Sequence, residues 1–163
     1  MIKAAACGRT LYLRQPMTDY TSVIKNRKAG FEYHLLQQFT AGMVLTGTEV
    51  KSLRAGKASI AEAFCIVQDD EVWVKNMHIA EFEQGSYYNH DPKRLRKLLL
   101  TAQEIRKITS RLKEKGMTLI PVQVFFSEKG LVKIEIALAR GKKLYDKRED
   151  IKKKDLERER NRG

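Results

Sequence analysis

The side chains with most to offer a partner lie in one string near the C-terminus, Gly141-Lys142-Lys143-Leu144-Tyr145-Asp146-Lys147-Arg148. Four cations, Lys142, Lys143, Lys147 and Arg148, surround one aromatic ring. Such a set pairs with phosphates and stacks on bases; it makes and breaks no covalent bonds. Residues 140–163 hold eleven Lys/Arg against six Asp/Glu, with Leu144, Tyr145, Ile151 and Leu156 as their large apolar side chains. So little apolar surface does not offset the entropy of chain ordering, and the segment is expected to be an unfolded basic arm until a partner supplies a surface. Glu149 with Lys153 and Asp150 with Lys154 are favourable four-residue pairs on a potential helix, though too weak to hold a short helix alone.

Further cation clusters lie upstream. Lys25-Asn26-Arg27-Lys28 precedes the first regular strand pattern, where it either tracks a phosphate backbone or serves as a solvated linker. Leu53-Arg54-Ala55-Gly56-Lys57 closes a short helical pattern, where cations serve RNA or complement the helix dipole. In Asp91 to Leu100, Lys93, Arg94, Arg96 and Lys97 stand beside Leu98-Leu99-Leu100, so their stems can cover the core while their charges face outward. Tyr87-Tyr88 either stacks on unpaired bases or packs at a loop base.

The net charge of +12 divides into +5 for the C-terminal arm and +7 for the rest, so the body is basic in its own right. A polyanion fits that distribution, and about six phosphate contacts imply roughly a thousandfold loss of affinity from low to physiological salt. A lipid surface asks for an amphipathic helix with a broad apolar face, which the arm lacks. No run reaches the apolar length of a membrane span, and residues 1–24 are broken by Lys3, Arg9, Arg14 and Asp19, which leaves no signal-peptide core. Cys7 and Cys65 suit a reducing compartment, so the chain is expected in the cytoplasm. No catalytic residue, metal or cofactor is expected: His34, His78 and His90 fall at no metal-ligand spacing, and no glycine-rich phosphate loop or nucleophile elbow occurs. Asp69-Asp70-Glu71 reads as a turn rather than a divalent-ion site.

The elements that must carry these groups amount to one domain. Residues 1–24 read as a disordered leader, with Met17 as an alternative initiator, residues 25–139 as the folded domain and residues 140–163 as the tail. Phe31 to Phe39 is strand-like, Gly42 marks a bend or bulge, and Met43-Val44-Leu45 continues the sheet. Thr48 as N-cap and Gly56 as stop define a helix over Glu49 to Ala55 that buries Val50 and Leu53 and exposes Glu49, Lys51 and Arg54. Ala63 to Val67 and Val72 to Asn76 form a hairpin, with Trp73 in the core. Thr101-Ala102-Gln103-Glu104 has capping-box spacing ahead of a helix bearing Ile105, Ile108 and Leu112. A second hairpin runs from Thr118 to Phe126 and from Leu131 to Leu138, with Pro121 at an edge or bulge. About six short strands and one long helix predict a mainly β, α+β domain: a small antiparallel OB-like barrel.

Four stretches together resemble one family. They are Asn26-Arg27-Lys28-Ala29 with Phe31-Glu32-Tyr33; Thr48 to Lys57; Arg96-Lys97-Leu98-Leu99-Leu100; and Gly141-Lys142-Lys143 with Asp146-Lys147-Arg148. In this order they are similar to the SmpB, or SsrA-binding protein, family from about Ile24 to Leu156. The resemblance implies a non-enzymatic factor of trans-translation that grips the tRNA-like part of transfer-messenger RNA (SsrA RNA) and delivers it to stalled ribosomes. It also implies a tail that enters the vacant mRNA channel and turns helical at the small-subunit decoding centre, and an indirect partnership with elongation factor Tu through the RNA. Carried over by position, Asn26, Leu99 and Lys133 grip RNA, with basic support from Arg27, Lys28, Lys51, Arg54, Lys57 and Lys97. The tail contacts are Gly141, Lys142, Lys143, Tyr145, Asp146, Lys147, Arg148, Ile151 and Lys152. Thr40, Thr101 and Tyr145 stand where an acid, an asparagine and a histidine are frequent; tyrosine can stack but brings no imidazolium charge. A ribosomal or rRNA-chaperone protein would share the charge and the barrel, and a nuclease would need a divalent metal.

Overall fold

The computed structural model describes residues 22–85 and 87–162. The expectations for the leader before residue 22, including the role of Met17, lie outside the described residues. The folded domain begins earlier than expected, because Ser22–Lys25 is already a strand, β1, paired with the strand that carries Gln123 and Phe125.

The remaining elements are α1 (Arg27–Glu32), β2 (Tyr33–Met43), α2 (Gly47–Arg54), β3 (Ala58–Ser59), β4 (Phe64–Gln68), β5 (Glu71–Lys75), β6 (His78–Ile79), β7 (Arg96–Leu99), α3 (Ala102–Leu112), β8 (Met117–Phe126), β9 (Val132–Gly141) and α4 (Leu144–Arg160). Strands β8, β4, β5, β7, β2 and β9 are bonded in that order, and β9 returns to β8, which closes an antiparallel ring of six. Closure leaves that ring without a free edge. The predicted class, α+β with an OB-like barrel of about six strands, is the architecture found. β3 and β6 form a separate two-stranded ladder.

Strand alternation fills the barrel. Phe39, Ala41 and Met43 of β2, Val72 and Val74 of β5, Leu98 of β7, Leu119 and Val124 of β8, and Ile134, Ile136 and Leu138 of β9 are buried, and α3 adds Ile108. Helix α3 starts as its sequence predicts: the Thr101 hydroxyl accepts from the Glu104 N–H and the Glu104 carboxylate accepts from the Thr101 N–H. The β4–β5 turn places Asp69 and Asp70 at φ 52° and 57°, the twin left-handed pair that a two-residue hairpin needs. The register of β8 against β9 shifts between Pro121 and Gln123, the irregularity that Pro121 predicted. Burial pushes the Cys65 thiol up, so it packs as a small hydrophobe.

Several local expectations change. Phe31 and Glu32 belong to α1 rather than to a strand, because the Asn26 side chain caps a helical turn by accepting from the Ala29 N–H. β2 runs straight through Gly42, and its register shift lies between Leu35 and Gln37. Trp73 is only half-buried, since Val72 and Val74 take the inward positions and leave Trp73 opposite Ile66 and Lys97 on the outer face. Helix α2 starts two residues earlier, with Thr46 rather than Thr48 as its N-cap residue, and its Glu49 is fully buried instead of exposed. Strand β9 continues through Gly141, so Arg140 and Gly141 belong to the barrel. Leu144–Arg160 forms helix α4, none of whose residues is buried; Asp146 accepts from the Lys143 N–H at its start, and Asp150 pairs with Lys142 rather than with the expected Lys154.

Candidate nucleic-acid interface

Three strands bring Leu99 and Lys133 together. Gly42 of β2 faces Leu99 of β7 on one side and Lys133 of β9 on the other, and Lys133 in turn faces Phe125 of β8. All four belong to the outward set of the alternation, so they form one transverse row on the barrel's outer face. Leu99 is 54% exposed. Gly42 packs closely on Leu99: a Cβ there would touch the Leu99 Cβ at 3.4 Å. Lys97 shares the face two residues along β7 and pairs with Glu71, whereas Lys133 has no ion pair among the described residues. The next row holds Thr40 opposite Glu135, whose carboxylate accepts from the Gln123 amide at 2.6 Å, so a carboxylate is present beside Thr40.

Helix α2 carries Lys51 and Arg54. Each charge lies over an aromatic ring and not a carboxylate: Lys51 over Phe82 at 5.2 Å and Arg54 over Phe126 at 5.7 Å. Phe126 follows Phe125 on β8 but has the opposite parity and packs against the core, so Arg54 does not belong to the outward row. Lys57, beyond the helix, pairs with Glu83.

What fixes α2 is a buried ion cluster. Glu49 and Arg96 are both fully buried, and the Arg96 Nε donates to Glu49 Oε1 at 2.8 Å. Arg94 donates to both carboxylate oxygens, at 2.7 and 2.6 Å. The rest of the Arg96 guanidinium donates to the carbonyls of Met77, Arg94 and Pro92. Burial pushes the Glu49 carboxyl up, but hydrogen bonds from Arg94 and the Thr46 N–H, with the charges of Arg96 and Arg94, outweigh it and hold the group below the usual carboxylate range. The cations of this segment therefore do not all cover the core with charge outward. Two of them reach inward to lock α2 to β7. Strand alternation carried the signal, because Arg96 shares its parity with inward Leu98, and Glu49 lies one helical turn before buried Leu53.

Asn26 stands apart from the row. Its Nδ2 donates to the carbonyls of Pro121 at 3.1 Å and Ile60 at 3.3 Å, and its Oδ1 caps α1, so the amide is used inside the fold. It sits about 10 Å along β8 from Phe125, at some 3.3 Å per residue. Arg27 and Lys28 are exposed on α1, where Lys28 pairs with Glu62 at 2.6 Å. Thr101 is spent as the α3 N-cap.

The tail residues meet a different surface. The Lys142 N–H donates to the Glu32 carbonyl at 2.9 Å, and its Nζ donates to the Gly30 carbonyl at 2.9 Å and to Asp150 at 2.5 Å. Asp146 lies 3.5 Å from the His34 ring and accepts from the Lys143 N–H at 3.3 Å. Partial desolvation pushes its carboxyl up, but bonds from His34, Tyr145 and the Lys143 N–H hold it below the usual range, while the same carboxylate pushes the Tyr145 phenol up. Lys147 and Lys154 lie over the Phe31 ring at 6.0 and 5.9 Å. Tyr145, Arg148, Ile151 and Lys152 face solvent, as do Gly141 and Lys143.

A closed six-stranded antiparallel barrel, with an outward row of Leu99 and Lys133 and a charged C-terminal helix, defines a small OB-like fold. Among the described residues no group of three His, Cys, Asp or Glu could hold a metal ion, and no helix is long and apolar enough to cross a membrane. The chain belongs to the SmpB family: the family described as SmpB protein matches residues 23–163. The SsrA-binding protein of Cytophaga hutchinsonii is 57% identical over 136 residues, which cover 83% of this chain and 89% of that protein. That of Parabacteroides distasonis is 55% identical over 140 residues, covering 86% and 92%. A solved structure titled "tmRNA-SmpB: a journey to the center of the bacterial ribosome" superimposes with a TM-score of 0.64 at 45% identity, covering 74% of this chain and 85% of its own.

Proposed function

We propose that the chain is the RNA-binding factor of trans-translation: it binds the tRNA-like domain of transfer-messenger RNA and delivers it to stalled ribosomes for rescue and nascent-peptide tagging. The observation that carries this is the 57% identity with an SsrA-binding protein across 83% of the chain. The geometry supports a surface for it, because Leu99 and Lys133 lie side by side on the barrel's outer face, where an apolar contact and a cation unpaired among the described residues can meet ribose, base and phosphate. Arg27, Lys28, Lys51, Lys57 and Lys97 add positive potential around that face. Asn26 acts from beneath, by fixing the end of β1 and the start of α1.

The barrel and the tail divide the work. The barrel, residues 22–141, holds the RNA, and residues 142–163 enter the empty mRNA channel of the small subunit as a helix, with Lys142, Lys143, Tyr145, Asp146, Lys147, Arg148, Ile151 and Lys152 toward the decoding centre. To do so the tail releases the Lys142 bonds to the Gly30 and Glu32 carbonyls and the solvent-facing Asp146–His34 pair, the last of which is cheap to break. Elongation factor Tu joins through the RNA, no catalytic step is assigned to the chain, and its place of work is the cytoplasm, where ribosomes stall.

The test is a pull-down of the tagged full chain from bacterial lysate, followed by sequencing of the bound RNA. Transfer-messenger RNA is the expected dominant species. Equal recovery of ribosomes from cells lacking that RNA would instead favour an rRNA-binding protein.

A further inference from the structure

Tyr87 and Tyr88 are 97% and 93% exposed, the most exposed large apolar side chains of the described residues, and the RNA face above does not include them. Paired tyrosines in a loop ordinarily pack at its base; these do not. Yet the frame that presents them is fixed. The Asn89 amide donates to the carbonyls of Phe82 at 2.8 Å and Gly85 at 3.0 Å and accepts from the Phe82 N–H at 3.1 Å, so one side chain ties both ends of the turn. The turn is tight enough that a Cβ on Gly85 would meet the Phe82 carbonyl at 3.0 Å. Next in the chain, His90 is buried, with Nε2 donating to the Ile79 carbonyl at 3.1 Å and Nδ1 bonded to the Thr48 hydroxyl at 2.9 Å. The carbonyl only accepts, which sets Nε2 as the protonated nitrogen.

The loop is also joined to the basic side of the barrel. Lys51 lies over Phe82, Lys57 pairs with Glu83, Thr48 holds His90, and Lys93 is exposed just past the loop. Two solvent-facing rings on an anchored turn, with Lys51 and Lys93 in the segments that hold it, match the pattern of single-stranded nucleic-acid sites, in which rings take bases and cations take the flanking phosphates. A second copy of this chain is a poor occupant, because each copy carries a net charge of +12.

We propose that Tyr87 and Tyr88 form a stacking platform for unpaired bases of the transfer-messenger RNA, separate from the Leu99–Lys133 row. This rests on the RNA-binding function proposed above. Stacking on a ring is lost with the ring but carries no charge, whereas a phosphate contact sets the salt dependence.

The experiment measures binding of the full chain to transfer-messenger RNA across a salt series, for the parent protein, Tyr87→Ala/Tyr88→Ala and Tyr87→Phe/Tyr88→Phe. The alanine pair is expected to bind about tenfold more weakly with an unchanged slope of log affinity against log salt, and the phenylalanine pair to stay within about twofold of the parent. Thermal unfolding of both variants is expected to match the parent, since neither side chain is packed. An alanine pair that binds as tightly as the parent overturns the platform, and so does a phenylalanine pair as weak as the alanine pair, which would place the contact on the hydroxyls. A parent that ignores this RNA ends the functional reading and the platform with it, whereas the first two results end the platform alone.

Discussion

The α2 junction and the α4 tail are both dense in charge, and they use it in opposite ways. At the junction, Glu49 and Arg96 are fully buried and every hydrogen bond of the cluster runs within the barrel. Along α4, none of 17 residues is buried, and its contacts to the barrel are the Asp146–His34 pair and Lys147 and Lys154 over Phe31, with Lys142 just before it bonded to the Gly30 carbonyl. Charge taken out of water is costly unless it is fully paired, so the junction has one arrangement. Charge left in water is worth little in any one arrangement, so the tail can exchange partners. A rigid basic surface suits the holding of a structured RNA, and an exchangeable helix suits the proposed entry into a vacant mRNA channel.

Ending the chain after Gly141 separates the two regions most sharply. It should abolish tagging of stalled products, read by immunoblot, while the unfolding midpoint of the remaining barrel stays where it was, because β9 keeps its full pairing with β2 and β8. A shorter product ending at Leu138 would cut into β9 and is expected to lose stability.

Glu49→Ala attacks the junction instead. It leaves the buried Arg96 guanidinium without its carboxylate, and chemical denaturation should report a loss of about 3–5 kcal/mol. Charge removal on the tail, such as Glu149→Gln, should leave the same curve in place.

Lys133→Ala and Leu99→Ala probe the face that the junction supports. Lys133→Ala should lower the salt slope of RNA binding by about one, and Leu99→Ala should weaken binding about fivefold at every salt concentration. Neither should shift the unfolding midpoint by more than about 0.5 kcal/mol equivalent.

Acid titration is the finer probe. The folded protein holds the Glu49 carboxyl below its unfolded value, so the unfolded chain takes up that proton first as pH falls. The stabilisation is complete above the ordinary glutamate value of about 4.3 and is lost progressively as pH drops through it toward the folded value. Glu49→Gln should therefore flatten the stability profile below about pH 5. The smallest effect is expected from Asp150→Asn, which should reduce the helical circular-dichroism signal of α4 and leave the barrel's unfolding unchanged.

How much of this was legible in the sequence follows the range of the interactions. The α3 cap was readable because Thr101 and Glu104 lie three residues apart, and the second hairpin because Val132, Ile134, Ile136 and Leu138 alternate in one run. Glu49 was misplaced because its partners Arg94 and Arg96 lie 45 and 47 residues away, and a glutamate near a helix start is ordinarily exposed. Phe31 was misplaced because the cap that bends its segment into α1 depends on Asn26 being held by Pro121 across the sheet. The row joining Leu99 to Lys133 depends on the register of three strands, and only the resemblance to a family names both positions, with Asn26, which the fold sets apart from them.

The central claim is that the barrel holds the RNA by itself. The most direct test is the affinity of a chain ending at Gly141 for transfer-messenger RNA, measured beside the full chain at one fixed salt concentration. The account predicts agreement within a few fold; a truncated chain that binds a hundredfold more weakly, or not at all, would contradict it.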